Sequence, residues 1–71
     1  MKPPLPKHIR AAINAEAVAS DLASAADHLA QSGRTIVAQA LLQHARHYRV
    51  QAMKLRAQAA AEHYASVAKP R

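Results

Sequence analysis

Apolar and small residues fall into two long stretches of helical spacing separated by one short polar break. Between Lys7 and Gln31, the residues Ala11, Ala15, Val18, Leu22, Ala25 and Leu29 follow alternating steps of four and three, which lines them along one face of an α-helix. After Thr35, Leu41, Ala45, Tyr48, Ala52, Leu55 and Ala59 repeat that spacing with large and small side chains in alternation. A stricter interval overlies both stretches. Small residues recur every seven positions, as Ala12, Ala19, Ala26 and Gly33 and then as Ala38, Ala45, Ala52, Ala59 and Ser66. Such a column forms a smooth groove that lets a second helix approach more closely than leucine would allow.

These patterns predict an all-α, antiparallel helical hairpin with an alanine-rich seam. Its first helix is expected over about 7–31, its turn over 32–35 and its second helix over about 35–68. Gly33 suits the left-handed position that ends a helix, and Thr35 is the candidate N-cap of the next. Residues 1–6, with Pro3, Pro4 and Pro6, read as an extended arm that stops the first helix, and 69–71 as a basic tail.

Two sets of apolar residues stay outside the seam. Ile9 and Ile13 project almost opposite Val18 and Leu22, among polar positions such as Glu16, Ser20 and Asp27. On the second helix, Leu42, Val50, Met53, Ala57, Ala60, Tyr64 and Val67 form another, looser strip. One hairpin cannot cover two faces of its longer helix. Ile9, Ile13, Leu42, Val50, Met53 and Tyr64 are therefore the candidate oligomer or partner interface, and a homodimer closing a four-helix bundle is the economical expectation.

Composition sharpens this picture. Nineteen of the 71 residues are alanine, Phe and Trp are absent, and Tyr48 and Tyr64 are the only aromatics besides histidine. Alanine favours helix but offers little area to bury, so a chain this short needs oligomerisation or a partner to supplement its core. Cysteine is absent, which excludes disulfides and thiol chemistry and fits a reducing, cytoplasmic setting. The sequence contains no apolar run long enough to span a membrane and too few bulky anchors for insertion at a membrane surface.

Charge divides between the helices. Residues 11–31 hold Glu16, Asp21 and Asp27 without Lys or Arg, whereas 34–56 hold Arg34, Arg46, Arg49, Lys54 and Arg56 without an acid. Part of this asymmetry can be satisfied by facing helices of opposite sign, but the formal net charge is +6 and points to an anionic partner. Arg46, Arg49, Lys54 and Arg56 are the candidate contacts to nucleic-acid phosphates, RNA or DNA. Arg46, Arg49 and Arg56 lie within about 80° of one another and Lys54 points elsewhere, so binding would follow backbone charge. An acidic protein is the other class of partner for this face.

No catalytic grouping emerges. The four acids are scattered, no Gly-rich loop or nucleophile–base set is present, and an enzyme is not expected. His44 and His47 share a helical face, with His63 further along, but two imidazoles without a neighbouring carboxylate read as solvated or hydrogen-bonded rather than as a metal site. No cofactor is expected.

Over residues 7–68, size, hairpin form and alanine seam together resemble the architecture of Rop, the small plasmid RNA-binding type in which two helical hairpins pair into a bundle. The resemblance carries no site residues. The alanine-rich composition and compactness would suit a small bacterial, phage or plasmid accessory protein, and the acid-free basic second helix makes contact with nucleic-acid phosphates the expected function. A structural adaptor docking on other proteins through its exposed apolar faces is the alternative.

Overall fold

Two helices pack antiparallel along their length in the computed structural model, which describes residues 5–68. Helix α1 spans Lys7–Gln31 and helix α2 spans Thr35–Ala68. Pro6 precedes α1 with φ −55° and ψ 147°, the extended conformation that proline favours, and its carbonyl accepts the first helical hydrogen bond from Arg10 N at 3.0 Å. Most of the expected arm, residues 1–4, and the basic tail, 69–71, lie outside the described residues.

The turn is built by backbone hydrogen bonds. Arg34 N donates to Leu29 O at 2.9 Å and Gly33 N to Ala30 O at 3.0 Å, the paired closure of a Schellman motif, with Gly33 at φ +83°. The Ser32 hydroxyl adds a bond to His28 O. Nothing lies near the place where a Cβ on Gly33 would sit, so backbone conformation alone calls for glycine there. The second helix starts one residue earlier than an N-cap at Thr35 implies. Ala38 N bonds Arg34 O at 3.0 Å, so Thr35 is already helical and Arg34 opens α2 while closing α1.

Between the helices lies a core made of alanine alone. Ala12, Ala15, Ala19, Ala26, Ala38, Ala45 and Ala52 are its buried members, and no large side chain is fully buried among the described residues. Leu22, Leu29, Leu41, Tyr48 and Leu55 alternate with these alanines and remain half-buried at the edges of the seam. Tyr48 and Leu55 of α2 pack on the cluster formed by Ala12, Ala15 and Ala52. The expected α2 seam is therefore observed residue for residue.

On α1 the seam is rotated. Ala15, Leu22 and Leu29 face inward as the spacing predicts, but Ala12, Ala19 and Ala26 complete the stripe in place of Ala11, Val18 and Ala25. Val18 is 39% exposed and Ala25 is exposed, while Ala11 is half-buried. The physical reason is close approach. A branched side chain at the contact column would hold the helices apart, and the seven-residue alanine column admits them. The result is a thin rod measuring 61 × 26 × 11 Å.

Candidate interaction surface

Opposite signs on the two helices meet on one edge of the hairpin. Arg56 of α2 donates through Nε and one terminal nitrogen to both carboxylate oxygens of Glu16 on α1, at 2.8 and 2.7 Å. This bidentate geometry is the strong form of the Arg–carboxylate pair. The hydrogen bond from Arg56 holds the Glu16 carboxyl below the usual carboxylate range, against a smaller upward push from desolvation, and the Arg56 charge itself adds to the lowering. Reciprocally, Glu16 raises Arg56 further above its ordinary value, first by the hydrogen bond and then by its charge. Both side chains are about half exposed, so solvent screens the pair.

A second cross-helix contact closes the open end of the hairpin. His8 Nδ1 lies 3.0 Å from Glu62 Oε1, within ion-pair range when the imidazole is protonated. That nitrogen is screened from solvent and lacks a hydrogen bond of acceptable angle, so the contact is one of proximity and charge. Glu62, which stands alone among the acids of the second half of the chain, is thereby drawn to α1.

The candidate phosphate-binding residues separate into two groups. Arg56 is engaged by Glu16, whereas Arg46, Arg49 and Lys54 form no ion pair among the described residues. All four are exposed. Arg46 borders a shallow polar depression with Gln39, Leu42 and Gln43. The histidines do not assemble into a site. His47 lies 3.5 Å from the Gln51 amide and edge-on to the Tyr48 ring at 5.7 Å, and among the described residues no three His, Cys, Asp or Glu side chains come together to hold a metal.

The apolar candidates are distributed unevenly. Ile9 is half-buried and, with Pro6, Ala59, Ala60, His63 and Arg56, lines an open, mostly apolar depression of about 420 Å³ at the mouth of the groove between the helices. Ile13 is exposed on α1. On α2, Val50, Met53, Ala57, Ala60, Tyr64 and Val67 follow steps of three and four without interruption, and all six are exposed. Leu42 is exposed too, but it lies off this line, beside Arg46 and Gln39.

The six-residue line is a second seam. It points about 150° around α2 from the alanine seam, so helix α1 leaves it uncovered and approaches only its edge, at Ala60 beside Ile9. Its larger members are far from half-hearted exposures: Met53 is 63% exposed, Tyr64 74% and Val67 72%. Because α2 has 34 residues and α1 has 25, the end bearing Tyr64 and Val67 also lies toward the overhang, where α1 offers little cover. At the other end of the rod, Ile36 and Val37 are exposed as well, but they lack the repeating spacing. No helix among the described residues is long and apolar enough to cross a membrane.

No protein-family model matches the chain, and no curated protein or solved structure is significantly similar to it.

Proposed function

We propose that this hairpin is a non-enzymatic helix-docking module, an adaptor that takes up another helix along the outer face of α2. The observation that carries this reading is the uninterrupted three-and-four spacing of Val50, Met53, Ala57, Ala60, Tyr64 and Val67 on a face that α1 cannot cover. A core limited to alanines supports it, because a hairpin this small gains needed stability from a bound helix. The homodimeric four-helix bundle is the version in which that helix comes from a second copy.

Site-specific photo-crosslinking in the producing cell tests the reading. A photoreactive residue at position 53 or 64 should give discrete protein adducts, while the same residue at 43 gives none. Absence of adducts at both 53 and 64 overturns the proposal.

Contact with nucleic-acid phosphates is the second reading, and it rests on Arg46, Arg49 and Lys54 being unpaired among the described residues. Its weakness is geometric, since Arg56 is held by Glu16 and the three remaining cations diverge around the helix. Binding of mixed-sequence duplex DNA and hairpin RNA should weaken linearly in log affinity against log salt and disappear when these three residues become Gln. Affinity unchanged in the triple variant refutes this role.

A further inference from the structure

We infer that the outer seam of α2 is built for an acidic amphipathic helix of a partner protein rather than for a second copy of this chain. This inference rests on the docking reading above and adds the chemistry of the occupant. In a paired-helix contact, residues beside the apolar seam face the partner's corresponding flanks and decide which helix is accepted. Beside Val50, Met53, Ala57, Ala60, Tyr64 and Val67, those flanking positions are Arg49, Arg56 and His63 on one side and His47, Lys54 and Ala61 on the other. Neither flank contains an acid.

Neither homotypic arrangement supplies an acid to these flanks. In a parallel pair, each flanking residue meets the residue five positions later on the other copy, so Arg49 faces Lys54. An antiparallel pair that overlays the whole seam sets each flank against itself, with Arg56 meeting His63 of the other copy and Lys54 meeting Ala61, so neither flank gains an acid. The one acid in this part of the chain, Glu62, lies on the far side of α2 and is held near His8. Arg56 has its own carboxylate in Glu16, which leaves Arg49 and Lys54, on opposite sides of the seam, without an ion pair among the described residues. A helix carrying Asp or Glu at its flanking positions satisfies both at once, and its apolar stripe covers Met53 and Tyr64.

The seam spans about 26 Å at 1.5 Å per residue, the length of a partner helix of two to three heptads. Met53 is flexible and adapts to varied apolar surfaces, whereas Tyr64 supplies a rigid ring with a polar tip. Neither side chain participates in the alanine seam, so both can be changed without touching the hairpin's own packing.

Three synthetic peptides of three heptads provide the probe. The first has Ile and Leu on its apolar stripe and Glu at every flanking position, the second replaces those Glu with Lys, and the third shuffles the first to destroy the repeat. Fluorescence anisotropy of labelled peptide against the full chain should show saturable binding of the acidic peptide, at least about tenfold tighter than either other peptide. The double variant Met53→Glu with Tyr64→Glu should lose that binding while circular dichroism shows unchanged helicity.

Equal binding of the acidic and basic peptides overturns the charge assignment while leaving helix docking intact. Equal binding of the shuffled peptide overturns the seam, because attraction then follows charge alone. If no peptide binds and light scattering gives twice the chain mass, with monomer restored by Met53→Glu and Tyr64→Glu, the occupant is a second copy and the inference fails. If no peptide binds and the chain is monomeric, the acidic-helix inference fails, and crosslinking at 53 and 64 separately decides the broader docking proposal.

Discussion

Replacing Ala19 with leucine tests the alanine seam at its tightest column. Ala19 is wholly buried, one seven-residue step from Ala12 and from Ala26, which are 0% and 1% exposed. Leucine adds three carbons, worth about 2.4 kcal/mol of burial at about 0.8 kcal/mol each if room existed. Room does not exist in a column where alanines already meet, so the side chain must push the helices apart and expose its neighbours. Overpacking of this kind costs roughly 1–3 kcal/mol. A hairpin of this size holds only about 3–5 kcal/mol in total, so a loss of about 2 kcal/mol removes close to half of its stability. The melting temperature should fall by about 8–16 °C. Thermal and urea unfolding followed by circular dichroism measure the change. Val18→Leu, one position away and 39% exposed, is the control and should stay within about 0.5 kcal/mol of the parent. A melting point for Ala19→Leu at or above the parent's, or greater damage from Val18→Leu, would refute the rotated seam.

Other expectations follow from the turn, the ion pair and the outer face. Gly33→Ala forces a Cβ into the left-handed region at φ +83°, and should cost about 1–2 kcal/mol in urea unfolding with no change in mass. Glu16 is depressed in the fold, so its contribution to stability is present above the unfolded value near 4.5 and is lost as pH falls through the lower folded value. Glu16→Gln should therefore flatten the decline in melting temperature below about pH 4.5, and an unaltered acid slope would show that the Arg56 pair does not couple to folding. Met53→Glu with Tyr64→Glu should leave the melting temperature of the isolated chain nearly unchanged, because both side chains are exposed; a drop above about 10 °C would mean that this face already packs on something.

Much of the fold is legible in the chain because its punctuation is sparse. Pro6 and Gly33 mark the start of α1 and the turn, and both serve those roles in the structure. The α2 seam can be read directly since Leu41, Tyr48 and Leu55 stand out against alanine. On α1 alanine occurs on every face, so four-and-three spacing fits two neighbouring stripes equally well. The seven-residue column of Ala12, Ala19 and Ala26 distinguishes them, through the close approach it permits. Charge asymmetry foreshadows attraction between the helices, yet the Glu16–Arg56 partnership spans 40 positions and depends on how the antiparallel helices align. The His8 and Glu62 contact depends on the same alignment. The outer strip is visible as apolar residues before folding. Its separation from Leu42, and its flanking cations, become clear only once the buried face is known.

A three-residue turn does more than reverse the chain. Alanine facing alanine is nearly degenerate with respect to sliding, since a shift by one repeat restores much the same surface. The short connection through Ser32, Gly33 and Arg34 forbids that slide by geometry, because its hydrogen bonds to His28, Leu29 and Ala30 leave no slack. Covalent connectivity thus sets the vernier of this hairpin, and the seam itself is free to be plain. Were the peptide bond after Gly33 cut, the two fragments should reassociate in several alignments, and only those that reunite Glu16 with Arg56 would regain the parent arrangement.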